Sequence, residues 1–212
     1  MELVEKRRCV IVAAGKTDSV DLLKKNIFYD DFVIAADAGY TKLKAAGIVP
    51  DLIVGDFDSS DTPENDIETI ILSPIKDCTD TQFAVSQAVE RGYNDILIIG
   101  GLGGRIDHSV ANFAVLAEYK LKDINITLID DYHVIYCLKD EQKNISKKDS
   151  YFSVFAFGGN AEITLKGFYY NVENYVLSPY ASIGVSNEAV DDVANISVNE
   201  GIVLIIEASK SV

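Results

Sequence analysis

Cysteine, histidine and tryptophan are scarce in this chain: three, two and none among 212 residues, alongside only four prolines. Basic charge is short as well, with 19 lysines and arginines against 33 acidic residues. Cys9, Cys78 and Cys137 are odd in number and never spaced C-x-x-C, which argues against a disulfide framework and a zinc knuckle and reads as reduced thiols. A formal charge of -14 excludes a broad surface for nucleic-acid phosphates and favours cationic or metal-complexed ligands. No apolar run approaches the roughly 20 residues of a membrane-spanning helix. Lys6, Arg7 and Arg8 precede an apolar run of six residues, Cys9 to Ala14, and Glu2 and Glu5 stand in front of them, which is not an export signal. The expectation is a soluble, cytoplasmic protein with no membrane and no nucleic-acid partner.

What the chain does have is a 48% hydrophobic content, enough for one large domain or two small ones. Short apolar runs at Cys9 to Ala14, Phe32 to Ala36, Leu52 to Val54, Ile67 to Leu72 and Ile96 to Ile99 read as buried strands. Helical stretches alternate with them: one capped by Asp18 or Ser19, one ending at Gly47, one from Thr79 to Gly92, and one from near Asp107 through Ala117. Beyond Lys122 the texture changes to short β-branched or aromatic runs at Ile124 to Ile129, Val134 to Leu138, Tyr151 to Phe157, Ala161 to Leu165 and Ile202 to Ile206. Asp140 to Asp149 reads as a charged, solvated connector. The boundary falls within Lys122 to Asp131, giving an α/β half over 1–125 with a mostly parallel sheet and an all-β sandwich or barrel over 126–212.

The α/β half places acids where strands end. Leu52, Ile53 and Val54 run into Gly55-Asp56-Phe57-Asp58, two carboxylates one residue apart. At a separation of about 6 Å their repulsion is of order 3 kcal/mol at an effective dielectric near 20, which asks for a cation. Asp37 likewise follows a strand, and in open α/β sheets ligands bind beyond the strands' carboxyl ends; helix capping is the alternative. Asp80 falls in the first turn of the helix that Thr79 caps, as a metal ligand or as a partner of the helix dipole. Gln82 faces the same region. The strand Ile96 to Ile99 leads into Gly100-Gly101-Leu102-Gly103-Gly104-Arg105-Ile106-Asp107-His108. Glycines there let successive N–H groups form an anion nest, and Arg105 can fork onto phosphate oxygens. Ile106 occupies the position where a dinucleotide fingerprint needs glycine, and Val10 the position where a phosphate-binding P-loop ending at Lys16-Thr17 needs one, so neither motif is present.

In order and spacing, Asp37-Ala38-Gly39, Pro50-Asp51-Leu52-Ile53-Val54-Gly55-Asp56-Phe57-Asp58-Ser59, Asp77-Cys78-Thr79-Asp80 and the Gly100 to His108 loop resemble the thiamine pyrophosphokinase family. A looser likeness continues at Gly167-Phe168-Tyr169-Tyr170-Asn171-Val172 and Gly184-Val185-Ser186-Asn187. The resemblance implies an α/β catalytic domain, a C-terminal β-sandwich, and a homodimer whose active sites lie between subunits. It implies ATP and thiamine as substrates and Mg2+ as cofactor, with diphosphate passing to thiamine's hydroxyethyl oxygen. Under it, Asp37, Asp56, Asp58 and Asp80 hold the metal; Asp37, Gly101, Gly103, Gly104, Arg105 and His108 meet ATP; and Gln82, Asp107, Tyr170, Ser186 and Asn187 meet thiamine. Asp56, Asp58, Asp80, Arg105 and Asp107 would be catalytic, Asp80 and Asp107 being the candidates to receive the hydroxyl proton. The family commonly has two glycines after the first aspartate, where this chain has Ala38-Gly39, and tryptophan at the position of Tyr170.

Three other readings compete. A haloacid-dehalogenase-type phosphatase would use Asp56 as nucleophile, but Ser60 stands where that motif has Thr or Val, and the glycine-arginine loop would have no role. A diphosphokinase acting on a pterin alcohol would share the nucleotide half. A non-catalytic sensor of thiamine or nucleotide would not need four acids placed for metal.

Overall fold

The structure is a computed structural model and describes residues 8–15, 19–56, 67–73 and 77–211. The chain divides into two units, Met1–Val115 with Leu128–Asp131, and Leu116–Thr127 with Tyr132–Val212.

The first unit alternates β1 (Cys9–Val12), α1 (Val20–Asn26), β2 (Phe32–Ala36), α2 (Gly39–Ala46), β3 (Leu52–Gly55), β4 (Glu68–Ile71), α3 (Asp80–Glu90) and β5 (Asp95–Ile99). After these come α4 (Ile106–Lys120) and β6 (Asn125–Ile129), each of which gives residues to both units. Strands pair in the order β4-β3-β2-β1-β5, all parallel. Every residue of β1 and β3 is buried, and so is all of β5 but its first residue. Such runs suit a parallel sheet covered on both faces; α3 packs on β1, β2 and β3, and α2 on β1 and β2. Two helix starts are those the sequence marks, while α2 starts after Ala38 with no side-chain cap, so the Asp37 carboxylate does not cap it. Ser19 Oγ accepts the N–H of Leu22 at 3.1 Å, and Thr79 Oγ that of Gln82 at 3.2 Å. α2 stops on Gly47, whose φ of 73° is the left-handed cap conformation. No helix among the described residues is long and apolar enough to cross a membrane.

In the second unit, β7 (His133–Lys139), β8 (Gln142–Ser146), β9 (Ser150–Ala156), β10 (Ala161–Lys166), β11 (Val172–Leu177), β12 (Val193–Glu200) and β13 (Ile202–Ser209) form antiparallel ladders, β7-β13-β9 and β11-β10-β12-β8. Phe152 and Val154 of β9 and Val203 and Ile205 of β13 meet Ile163 and Leu165 of β10 and Ala194 and Ile196 of β12 in one buried cluster. Alternate residues face this core, as the two-residue period of a strand requires, so the unit is a sandwich.

One carboxylate enters that interior. Glu207 is buried and accepts the Tyr136 hydroxyl at 2.9 Å, with Lys148 Nζ 3.2 Å from its other oxygen. Burial, and then the Glu207 charge, push the Tyr136 phenol above its ordinary range, so the hydroxyl stays a donor. Lys143 Nζ lies 3.7 Å from the Tyr136 ring centroid.

Three strands depart from the expectation. β8 falls inside the stretch expected to be a solvated connector; only Ile145 of it is buried, and its backbone is claimed by β12. β11 and β12 were not anticipated either. β11 is the last strand of its sheet and mostly exposed, while β12 buries Ala194, Ile196 and Val198 at a spacing of two that Asn and Ser interrupt.

The three cysteines are free thiols, Cys9 and Cys137 buried and Cys78 partly exposed. Burial pushes the Cys9 thiol up to about 12, with the Asp31 and Asp51 charges adding to it, and burial does the same to Cys137. Alkylation of the native protein at pH 8 should therefore label Cys78 alone, with the other two reacting only in denaturant. Mass spectrometry after a timed iodoacetamide pulse reads this out; equal labelling of Cys137 in the native protein would contradict the burial.

Candidate active site

Register decides where the first unit's side chains gather. Val12 pairs with Ala35 on one side and Ile99 on the other, and Ala36 pairs with Val54, so Ala13, Asp37, Asp56 and Gly100 all leave the sheet at one edge. The strand order reverses at β1, which makes the loops after β1 and β5 the walls of the switch-point crevice where α/β proteins bind ligands. These loops are tied to each other. Ala13 N–H reaches Ile99 O at 2.8 Å and Gly15 N–H reaches Gly100 O at 2.7 Å. A Cβ on Gly15 would lie 2.3 Å from Leu102 O, so only glycine fits. Lys42 Nζ of α2 donates to the Gly15 carbonyl.

Asp37 turns out of β2 with φ 50°, donating its N–H to Val54 O at 2.8 Å. A Cβ on Gly55 would sit 3.2 Å from Asp37 Cα, so the glycine brings the backbones of the two acid-bearing loops side by side, with Asp56 next in the chain. Asp80 and Gln82 occupy the first turn of α3, whose amino end follows the carboxyl end of β4 and so stands at the same edge. Asp37, Asp56 and Asp80 are hard oxygen donors, the set that suits magnesium rather than zinc or copper. Asp58 lies outside the described residues. Among the described residues no group of three or more His, Cys, Asp or Glu side chains is drawn together tightly enough to hold a metal ion.

The loop after β5 bends through positive φ at Gly100, Gly103 and Gly104, the conformations needed to turn backbone N–H groups toward a common centre. Arg105 follows and forks onto Asp107, Nε to Oδ1 at 3.2 Å and Nη2 to Oδ2 at 2.5 Å. The pair is open to solvent, the side chains being 73% and 62% exposed. The hydrogen bond from Arg105 holds the Asp107 carboxyl below its ordinary range, and Asp107 raises the guanidinium in return. His108 is exposed on the next position of α4. The fork that the sequence reserves for phosphate is thus engaged by a carboxylate here, and that carboxylate is a poorer base for it.

Asn112 was not anticipated. It is only 4% exposed and its Nδ2 donates to Gly101 O at 2.7 Å, pinning the start of the glycine loop. The signal was available: Asn112 shares the buried stripe of α4 with Val115, Leu116 and Tyr119, and a polar residue in such a stripe must find a partner.

In the second unit, Val154, Ile163, Leu165 and Leu177 line a cavity of about 650 Å³ together with the rings of Tyr169, Tyr170 and Tyr175. None of its lining residues is charged, and Asn171 and Asn187 supply its amides. Tyr169 and Tyr170 do not alternate across a strand; both are solvent-facing, 69% and 64% exposed, with ring centroids 4.9 Å apart edge to face. Asn187 lines the cavity, but its side chain is spent on the backbone of Tyr170. Ser186, expected beside it, has φ 59° and gives its N–H to Ser153 Oγ; Val185 and Asn187 on either side line the cavity while Ser186 does not.

The class these features define is an α/β protein with acidic and glycine-rich loops at one edge of its sheet, followed by a β-sandwich with an uncharged cavity. Comparison with known proteins agrees for both parts. Residues 23–128 match the family model of the thiamin pyrophosphokinase catalytic domain, and residues 132–203 that of the thiamin pyrophosphokinase vitamin B1 binding domain. The chain belongs to the thiamine pyrophosphokinase family. It is 30% identical to the thiamine pyrophosphokinase of Bacillus subtilis over 208 residues, 94% of this chain and 97% of that one. The crystal structure of a Bacillus subtilis thiamine pyrophosphokinase superposes with a TM-score of 0.87 at 28% identity, covering 96% of this chain and all (100%) of that one. The thiamin pyrophosphokinase of Candida albicans, 17% identical with a TM-score of 0.75 over 97% of this chain and 90% of that one, shares the fold.

If Asn112 braces the loop, Asn112→Ala should remove the donor without overpacking the site and strand the Gly101 carbonyl. Urea unfolding should then show a loss of about 1–3 kcal/mol. An unchanged midpoint would mean that water or another donor replaces the amide at no cost.

Proposed function

We propose that this protein transfers the β,γ-diphosphate of ATP as one unit to the hydroxyethyl oxygen of thiamine, giving thiamine diphosphate and AMP. The observation that carries this reading is the ordered set of acidic and glycine-rich loops on one sheet edge, in a chain whose two halves each match the family. A haloacid-dehalogenase-type phosphatase would leave the Gly100 to Arg105 loop without a task.

A diphosphate in transfer carries several negative charges and passes through a loose transition state, so catalysis is positioning and neutralisation. Asp56, Asp58 and Asp80, together with Asp37, would hold Mg2+. That ion would supply the positive charge that an acidic chain lacks. The N–H groups around Gly101, Gly103 and Gly104 cradle the phosphates, with His108 at their border. Arg105 exchanges its Asp107 partner for phosphate oxygens, a substitution of one anion for another that costs the guanidinium little. Asp80 and Asp107 are the two candidates to receive the hydroxyl proton, Asp107 becoming available once Arg105 has turned to the phosphates. Gln82 and Asp107 meet thiamine from the catalytic half, and the uncharged, tyrosine-walled cavity takes its rings. A thiazolium cation suits a π-face with no competing lysine or arginine in the wall. The working unit is a homodimer with each site shared between subunits, acting in the cytoplasm, where ATP is at hand and the thiols stay reduced.

Incubation with ATP, Mg2+ and thiamine should yield AMP and thiamine diphosphate in equal amounts; free phosphate without AMP would sink the assignment. Asp56→Asn keeps side-chain volume while removing a negative charge, and should lower kcat by at least about 10²-fold, roughly 2.7 kcal/mol of transition-state stabilisation. Near-normal turnover would show that Asp56 holds no metal.

Tyr170→Ala should raise KM for thiamine by about 1 kcal/mol or more with much less effect on ATP, and Tyr170→Trp should be tolerated. Mixed dimers of a Tyr170→Ala chain and an Asp56→Asn chain should regain activity, since one of the two shared sites is then intact. Confirmed heterodimers without recovery would exclude a site shared between subunits.

A further inference from the structure

Residues 168–171, which include the two exposed tyrosines, belong to no regular strand, so their backbone polar groups need partners from elsewhere. Two asparagine side chains provide three of them. Asn171 Oδ1 accepts Phe168 N–H at 3.0 Å, while Asn187 takes both polar groups of Tyr170: Oδ1 accepts its N–H at 3.0 Å and Nδ2 donates to its carbonyl at 2.7 Å. Asn187 Oδ1 also accepts Glu188 N–H at 2.9 Å. The oxygen's two lone pairs are then both used, leaving nothing to accept a hydrogen bond from a ligand amine.

Asn187 is itself held firmly. It is 6% exposed, and its backbone exchanges both hydrogen bonds with Phe152 of β9, at 2.7 and 3.0 Å. The Phe152 ring packs on that of buried Phe168, centroids 4.8 Å apart, and Tyr169 N–H reaches Glu188 O at 2.8 Å. The amide therefore connects a core strand to the backbone of a residue whose own ring is two-thirds in solvent. The Tyr170 ring meets that of Tyr169 edge to face at 4.9 Å, and the gripped backbone fixes the point from which the ring projects; a preoriented ring loses less freedom when a ligand stacks on it.

We propose that Asn187 is a positioning residue for the aromatic acceptor: by gripping both backbone polar groups of Tyr170 it sets the ring against which the acceptor lies, without touching the acceptor through its oxygen. The inference rests on the reading that this cavity takes the acceptor. Aspartate cannot replace it, because a carboxylate would turn an oxygen toward the Tyr170 carbonyl, and glutamine is one methylene too long for the same grip.

The test is a double-mutant cycle on the full chain, reading KM for thiamine, KM for ATP and kcat, with thermal unfolding followed in parallel. Asn187→Ala and Asn187→Asp should each raise KM for thiamine about 5-fold or more and leave KM for ATP within about 2-fold. In a Tyr170→Ala background the same changes should add almost nothing, because the ring they orient is gone. A full additional rise in that background would mean that Asn187 acts on the ligand itself, and would overturn the proposal alone. So would an Asn187→Asp protein that unfolds as wild type and keeps its KM for thiamine, or one in which KM for both substrates rises together with loss of thermal stability. If Tyr170→Ala by itself leaves KM for thiamine unchanged, the acceptor reading of the cavity falls, and this inference with it.

Discussion

β1 hydrogen-bonds in parallel to β2 on one side and β5 on the other, with every one of its residues buried. Its amides and carbonyls have no water to turn to, so both ladders must be complete, and completing them sets the register of its neighbours. The placement of the first unit's chemical groups follows from that requirement. Asp37, Asp56 and the glycine loop come from stretches far apart in the chain, yet each begins where a strand in this ladder stops. Gly15 sharpens the arrangement by letting loops approach to distances that a side chain would forbid, and Gly55 by allowing a close one.

Charge limits what that edge can do. A chain with 33 acids and 19 bases meets a phosphate with mostly the wrong sign. On the proposed reading neutralisation would be local: a nest of N–H groups, one guanidinium, and carboxylates suited to a hard cation. The Arg105–Asp107 fork shows the same economy, since a guanidinium paired with a neighbouring carboxylate stays poised at the loop without adding net charge.

Both units solve the problem of an irregular segment in the same way. Asn112 holds the Gly101 carbonyl and Asn187 holds both polar groups of Tyr170, each amide standing in for a missing strand partner. Asparagine suits this because it carries an NH2 donor and a carbonyl acceptor in one plane, the same two kinds of group as a peptide. The pair Tyr136 and Glu207 follows a related rule inside the sandwich, where a buried carboxylate is tolerated because a hydroxyl and a lysine satisfy it.

The buried strands of the α/β half, the Ser19 and Thr79 caps, the stop at Gly47 and the change to β texture after Lys122 were legible in the sequence because each depends on local periodicity or on one residue's capping chemistry. The acidic and glycine motifs were legible for a similar reason, being contiguous. β8 was not, since a polar strand is made by the partner that claims its backbone, and here that partner is β12, some fifty residues on. Nor was the engagement of Asp107 with Arg105, or the spending of the Asn187 amide on Tyr170, because a hydrogen bond's partner depends on where the backbone has been carried. The sequence by itself determined which residues are candidates to bind metal, phosphate and an aromatic ring. Only the tertiary structure decided which of those side chains face a cavity and which are consumed in holding its walls, because a buried polar group has to satisfy its own hydrogen bonds before it can serve a ligand.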